Sequence, residues 1–294
     1  MLHYDACRNW KFEDIVHRYT ERDTMLYALG VGYGSDPTDR GELRFVFEGG
    51  LQAVPTMATV MGSPGIWWKD PRTGADPVKL VHGEQDLRIF ASLPAAATIV
   101  ARNRVVSITD KGPGKGAIAV LMRELFVQDS GVKVAESRNV TFLRGDGGFS
   151  AGGGASDPSP EALAPVPERT ADLTVSYPTL LQAALIYRLS GDYNPLHADP
   201  DFAARAGFDR PILHGLCTYG MAARAVIEKV LNFDAGRLKR IAVRFTSPVW
   251  PGETVRFELW RESDTLVRLR ATVDARTVVV LNNGLVEIDP GVVR

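Results

Sequence analysis

The chain has 294 residues, of which 45 % are hydrophobic and 23 % charged, so it is long enough for two packed units with sizeable cores. This composition excludes a disordered chain, a collagen-like fibre and a small disulfide scaffold. The 34 Lys and Arg residues nearly balance 35 Asp and Glu residues, which leaves no basic excess for a polyphosphate or an anionic membrane surface. We therefore expect neither a nucleic acid nor a membrane as a partner.

Cysteine usage and the N-terminal sequence bear on the compartment. Cys7 and Cys217 are too few for a disulfide framework and form no Cys-x-x-Cys pair, which favours a reducing compartment and no structural zinc. The N-terminus has no basic start leading into an apolar run, and no eighteen apolar residues follow one another. The sequence predicts a soluble, cytoplasmic protein.

In the first half, helix signals are weak and strand signals are strong. Thr20-Glu21-Arg22-Asp23 predicts the start of a helix, and a second helix at 55–61 meets Gly62-Ser63-Pro64-Gly65 after barely two turns. Alternating residues then predict strands at 87–90, 98–109, 116–127 and 133–143. The first half is predicted to lack a long central helix.

A segment rich in glycine and proline separates the two halves. It holds Gly145-Asp146-Gly147-Gly148, Gly152-Gly153-Gly154 and four prolines between 158 and 167. Such a composition buries little apolar surface, so it is typical of an exposed connector. We predict a first unit at 1–144, a connector at 145–170 and a second unit at 171–294.

The second half repeats the order of signals and adds a long helix. Thr179-Leu180-Leu181-Gln182 reads as a capping box, and apolar residues at helical spacing predict a buried helix at 214–231. Strands are predicted at 240–245, 254–261, 265–273 and 276–282, the last ending in a turn at Asn282-Asn283-Gly284. A buried helix followed by a meander of strands indicates an α+β fold, and the shared order indicates a duplicated unit.

One short turn carries a carboxylate and an imidazole. In the sequence 192–197, Asp192 and His197 flank Asn194-Pro195, whose restricted backbone makes the turn stiff enough to aim both side chains at one point. Such a pair can hold and activate water, because histidine changes protonation near neutral pH. An ordinary turn with a capping Asp192 and a surface His197 explains the same pattern equally well.

The start of the long helix supplies a second candidate group. Gly215 stands where backbone N–H groups have no partner within the helix, so it offers an oxyanion-type hydrogen-bond donor. Gly215 alternatively serves close packing. We expect its neighbour His214 to be a capping or core residue.

These blocks resemble a known family. Residues 187–197, Tyr-Arg-Leu-Ser-Gly-Asp-Tyr-Asn-Pro-Leu-His, look like the signature of the MaoC-like (R)-specific 2-enoyl-CoA hydratases, also called hydratase 2. Blocks at 19–32, 81–85, 212–215 and 245–254 extend the resemblance over nearly the whole chain, and it is most similar to the two-repeat form. The resemblance implies a double hot-dog fold, in which each repeat is a helix wrapped by a curved antiparallel sheet.

The resemblance also implies site residues. By position, the catalytic pair falls on Asp192 and His197, the supporting amide on Asn194 and the thioester-binding backbone amide on Gly215. The residues implied to contact the CoA ester are His82, Gly83, Lys111, Tyr193 and Phe245. Lys111 lies in a glycine-rich basic loop that suits CoA phosphates, although a solvated turn lysine explains it too. The first half lacks Asn-Pro-Leu-His, so no second active site is expected.

The implied reaction is reversible hydration of trans-2-enoyl-CoA to (3R)-3-hydroxyacyl-CoA, with no cofactor and no resident metal. In the family that the chain resembles, a shortened central helix in the first repeat makes room for a long acyl tail, so the short helix at 55–61 implies medium to long acyl chains. Alternatives are a (3R)-hydroxyacyl-carrier-protein dehydratase and a non-catalytic acyl-CoA-binding module, and a metal site of Asp192, His197, Asp199, Asp201 and His214 is weaker because it lacks known ligand spacing. A homodimer is a further candidate assembly.

Overall fold

The computed structural model describes residues 2–291, and ten of its strands form one antiparallel sheet. The strands are β1 (Ile15–Tyr19), β2 (Leu80–Ile89), β3 (Ala97–Asp110), β4 (Ala117–Val127), β5 (Lys133–Leu143), β6 (Leu173–Pro178), β7 (Leu238–Phe245), β8 (Thr254–Arg261), β9 (Leu266–Val273) and β10 (Val278–Ile288). The α-helices in this part are α1 (Tyr4–Arg8), α2 (Glu21–Gly30), α3 (Arg40–Leu43), α4 (Ala183–Tyr187), α5 (Pro200–Arg205) and α6 (Gly215–Lys229). The predicted α+β class is confirmed.

The strand order displays the duplication. The sheet runs β1-β3-β4-β5-β2-β7-β10-β9-β8-β6, so each half follows the same path from an edge strand to a central one. The halves meet where β2 and β7 pair antiparallel, with Leu87 opposite Ile241. The two repeats therefore share one continuous sheet, which is the double hot-dog arrangement.

The long helix of the second repeat lies in the core. Most of α6 is buried, from Cys217 to Ile227, and it packs on β6, β7 and β8. His214 is its N-cap residue, so the predicted helix is confirmed to within two residues at either end. Burial of nearly every face explains the apolar residues on all sides of this sequence.

In place of a long central helix, the first repeat packs a short 3-10 helix, Pro55–Thr59, against α6. This segment stops at Gly62, whose φ of +58° favours glycine and where a Cβ would collide with the Ala101 side chain. The buried Arg123 holds the same end, because its Nη1 donates to the carbonyl oxygens of Thr59 at 3.0 Å and Met61 at 2.7 Å. The predicted short helix is confirmed, and Gly62 and Arg123 are the residues that fix its end.

Two local predictions are wrong. Thr179 does not begin a helix, because its hydroxyl donates to the Glu253 carbonyl oxygen at 2.8 Å and accepts from Gly252 N, and α4 begins only after Gln182. Asn282-Asn283-Gly284 is not a turn but a bulge inside β10, where Asn283 has a φ of +54° and the pairing with β7 and β9 slips. In both cases a tertiary partner overrides the local signal.

The segment 145–170 contains no helix or strand and lies along the outer face of the sheet. Near its middle, the Asp157 carboxylate accepts a hydrogen bond from the backbone N–H of Ile108 on β3, at 2.8 Å. Farther on, Arg268 on β9 donates to the carbonyl oxygens of Ala164 and Pro165, and Asn283 on β10 donates to that of Leu163. The connector is thus hydrogen-bonded to strands of both repeats.

No helix in residues 2–291 combines the length and apolarity needed to cross a bilayer.

Candidate active site

The turn between α4 and α5 is rigid because its own side chains bond its backbone. It begins at Gly191, whose φ of +121° favours glycine. The Asp192 carboxylate accepts from Asn194 N at 3.2 Å, and Asn194 Oδ1 accepts from Leu196 N at 3.1 Å. Asn194 thereby caps the 3-10 helix Pro195–His197, which fixes the direction of the His197 side chain.

The His197 imidazole is oriented as a base. Its Nδ1 lies 2.8 Å from the carbonyl oxygen of Ile212, and since that oxygen only accepts, Nδ1 carries the proton and Nε2 the lone pair. Burial lowers the pKa of His197, although the Ile212 bond and the Asp192 charge act in the opposite direction. His197 is therefore neutral near pH 7 and able to accept a proton.

The structure brings the acid–base candidates together. Asp192, His197 and His214 each present one ligand-type atom within 4.8 Å of the others. Asp192 is partly exposed, whereas both histidines are buried. A carboxylate and a neutral imidazole at this separation can hold one water molecule between them.

Gly215, which directly follows His214, supplies a candidate hydrogen-bond donor to the site. It is the first residue of α6, and within the described residues its backbone N–H has no hydrogen-bond partner. A Cβ at this position would lie 3.1 Å from the Phe245 ring, so only glycine leaves the space beside the N–H open. The free N–H at the positive end of a 15-residue helix is suited to stabilise an oxyanion.

The first repeat contributes His82 to the same place. Gly83 is the extra residue of a bulge in the β2–β5 pairing, which sets the direction of His82. The His82 ring lies 4.6 Å from that of Phe245, and its Nε2 lies 2.7 Å from Asn139 Nδ2. Burial lowers the pKa of His82 to about 4, which the nearby Asp192 charge partly opposes. The site thus spans the junction of β2 and β7.

Two of the expected contact residues lie apart from this group. Lys111 is exposed at the tip of the β3–β4 hairpin, and the strand pairing places it at the same end of the sheet as His82. Tyr193 is 59 % exposed and lies under the guanidinium of Arg188, which is 4.9 Å from the ring centre. The contact of these two residues with a CoA ester therefore stays a prediction.

His214 is the N-cap residue of α6 and is 1 % exposed, as expected for a capping or core residue, although its side chain makes no cap bond. Its side chain contacts Asp192 and His197, a contact that the sequence analysis considered only for the alternative metal site. One group in the site was missed by sequence reasoning. The Ile212 carbonyl, which orients His197, has no sequence signal because any residue supplies a carbonyl oxygen.

The cluster of Asp192, His197 and His214 is a poor fit for a metal ion. The two imidazole rings stack with their centres 3.7 Å apart and an interplanar angle of 27°, so their in-plane lone pairs do not converge on one point. Asp199 and Asp201 belong to α5, where Asp199 accepts from Asp201 N as the N-cap. The donor set therefore lacks the convergent geometry of a metal site.

Both halves of the chain match known families. Residues 17–145 match the MFE-2 hydratase 2 N-terminal domain, and residues 162–283 match the MaoC like domain. The chain is 41 % identical to 3-hydroxyacyl-thioester dehydratase Y of Mycobacterium tuberculosis, over 95 % of this chain and 96 % of that protein. The chain belongs to the MaoC-like hydratase 2 family.

Further members of the MaoC-like hydratase 2 family show the same relationship. Enoyl-CoA hydratase 2, peroxisomal, of Arabidopsis thaliana is 40 % identical over 86 % of this chain and 85 % of its own length. The crystal structure of a MaoC-like dehydratase from Phytophthora capsici superposes with a TM-score of 0.84 at 32 % identity, covering 98 % of this chain and 99 % of that one. These comparisons support the double hot-dog fold over the whole chain.

Proposed function

We propose that this protein catalyses the reversible hydration of a trans-2-enoyl-CoA to a (3R)-3-hydroxyacyl-CoA. The observation that carries the proposal is that the neutral His197 and the Asp192 carboxylate lie together beside His214, which immediately precedes Gly215 and its free N–H. Named relatives include an enoyl-CoA hydratase 2 and a 3-hydroxyacyl-thioester dehydratase, and these names describe the two directions of one reaction.

In the hydration direction, water held by Asp192 and His197 attacks C3 of the enoyl group. The electron pair of the double bond moves toward the thioester, whose oxygen gains negative charge beside the N–H of Gly215. The Asp192–His197 pair takes one proton from the attacking water and delivers one proton to C2, so the pair is regenerated and water is added with no other reactant. His82 and Phe245 confine the thioester against the start of α6.

The decisive experiment follows loss of the enoyl-thioester absorbance in Asp192→Asn and His197→Gln variants. Losing an acid–base group lowers kcat by about 10²- to 10⁴-fold with folding intact. His3→Gln, at an exposed histidine, and Asp209→Asn, at an exposed aspartate, are the matched controls and should retain wild-type rates. Near-normal rates in Asp192→Asn or His197→Gln contradict the assignment, and tight CoA-ester binding without turnover in the wild type indicates a non-catalytic module.

The thioester carrier is part of the proposal. CoA is favoured because Lys111 and Lys115 stand on a hairpin tip whose conformation is fixed, since Asp110 accepts hydrogen bonds from Gly112, Gly148 and Ser150. Lysine ammonium groups suit the phosphates of CoA. A parallel assay with the same acyl group on CoA and on a carrier protein decides, because a higher kcat/KM for the carrier protein identifies the dehydratase alternative.

Location and assembly are also proposals. The two cysteines are free and buried, which is consistent with the cytoplasm or another reducing compartment. The relatives named above include a peroxisomal protein of Arabidopsis, so imaging of a fluorescent fusion is the test for a cytoplasmic location. A homodimer is tested by light scattering of the purified chain.

A further inference from the structure

We propose that His214 is a positioning residue, which holds Asp192 and His197 in the geometry that their reaction requires. This inference rests on the proposed hydratase function. His214 is 1 % exposed, stands immediately before Gly215 and contacts both Asp192 and His197.

The first contact fixes the turn that carries Asp192. His214 Nε2 lies 3.1 Å from the backbone carbonyl oxygen of Asp192, and because a carbonyl oxygen only accepts, Nε2 carries the proton and donates. The bond joins the start of α6 to the catalytic turn, 22 residues away in the sequence. Movement of that turn relative to Gly215 would break it.

The second contact fixes the plane of His197. The rings of His197 and His214 stack at 3.7 Å, while the Ile212 carbonyl oxygen holds His197 by its edge. An edge bond alone leaves the ring free to rotate about the line of that bond, and the stacked face removes this freedom. The Nε2 lone pair of His197 is therefore directed by two contacts.

His214 is unsuited to exchanging protons itself. Burial, together with smaller contributions from His197 and Arg188, lowers its pKa to about 3, while the hydrogen bond to the Asp192 carbonyl oxygen acts in the opposite direction. The Tyr187 ring closes another side at 5.0 Å, and within the described residues Nδ1 has no hydrogen-bond partner. A neutral, enclosed imidazole can orient its neighbours but supplies no proton near pH 7.

The test compares His214→Phe, which keeps a stacking ring but lacks the donor, with His214→Gln, which keeps an amide donor but lacks the ring. A displacement of about 1 Å in a catalytic group costs about 10²-fold in rate. We expect kcat to fall about 10- to 100-fold in each variant and KM to change less than about threefold. His17→Gln, at a partly buried histidine on β1, is the matched control and should retain the wild-type kcat.

The pH profile separates positioning from catalysis. The acid limb of kcat/KM reports His197, so it should survive in both His214 variants, whereas a His214 that exchanged protons would remove or replace it. Retention of kcat within threefold in both folded variants, or loss of the acid limb, overturns the inference. If His214→Phe does not fold, His214→Gln decides by the same criteria. An inactive wild-type enzyme would instead refute the proposed function.

Discussion

Four histidines, His17, His82, His197 and His214, share one electrostatic property. In each of them burial is the largest influence on the pKa and lowers it. The value falls to about 4 for His82 and about 3 for His214. The folded protein therefore keeps these rings neutral at pH values where an unfolded chain protonates them.

This difference predicts that the protein loses stability in mild acid. Below pH ~6.5 the unfolded chain binds protons that the folded chain excludes, so the free energy of unfolding falls as pH falls toward 4. Each histidine protonated only in the unfolded state contributes about 1.4 kcal/mol per pH unit. Urea unfolding at pH 7.5, 6 and 5 measures the slope.

The control for this prediction is His82→Gln, which should reduce the slope because it removes one titrating group. Carboxylates contribute mainly below this window, since an unfolded Asp or Glu titrates near pH 4. A free energy of unfolding that stays constant between pH 7 and 5 would contradict the prediction.

At the scale of elements, the short 3-10 helix Pro55–Thr59 distinguishes the first repeat from the second, in which α6 has 15 residues. Arg123 stabilises the end of this short helix through two backbone carbonyl oxygens, and its Nε donates to Asn103. Asn103 in turn donates to the Gly62 carbonyl oxygen. We infer that this clamp keeps the helix short, so that a medium to long acyl tail would lie beyond its end.

The clamp predicts a change in chain-length preference. In Arg123→Met the carbonyl oxygens of Thr59 and Met61 lose their hydrogen-bond donor. Residues 59–62 are then expected to shift toward the position proposed for the acyl tail. The kcat/KM for decenoyl-CoA should fall about tenfold relative to crotonyl-CoA, which corresponds to about 1.4 kcal/mol. Arg104→Met, at an exposed arginine on β3, is the matched control. An unchanged ratio would refute the role of Arg123, and a wild-type preference for crotonyl-CoA would refute the proposed tail length.

Elements with a strong local pattern were predictable, and elements that depend on distant partners were not. The helix at 214–231 has apolar residues at helical spacing over its whole length, and β8 and β5 were predicted with the bounds that the structure shows. The edge strands β1 and β6 were missed because each is only five or six residues long and pairs on one side. At the site, the residue types of the 192–197 turn predicted that Asp192 and His197 lie close together, as the structure shows. The bulge at Gly83 was not predictable, because it arises from the pairing between β2 and β5.

At the scale of the whole molecule, Arg224 joins the repeats through a buried ion network. Its guanidinium donates to Glu42 of α3 at 2.8 Å and to Glu228 within α6, and all three side chains are less than 8 % exposed. It also donates to the Gly32 carbonyl oxygen. Removal of the Arg224 guanidinium would leave the Glu42 and Glu228 carboxylates buried without this positive charge.

Arg224→Met is therefore expected to destabilise the protein by about 3 to 5 kcal/mol, the usual cost of breaking a buried ion pair from one side. Arg102→Met provides the contrast, because Arg102 pairs with Asp14 at the surface and should cost less than about 1 kcal/mol. Urea unfolding of both variants gives the comparison. Equal losses in the two variants would show that the network contributes no more than a surface pair.

The junction of β2 and β7 also determines what happens when the two repeats are expressed as separate polypeptides. His82 lies on β2 and Phe245 on β7, so separate expression of the two repeats would divide one active site between two polypeptides. Neither fragment could turn over alone, yet the two could restore activity by associating in trans. Lesions in different repeats then behave as lesions in a single functional unit. The connector maintains this unit because covalent linkage gives each repeat a high effective concentration around the other.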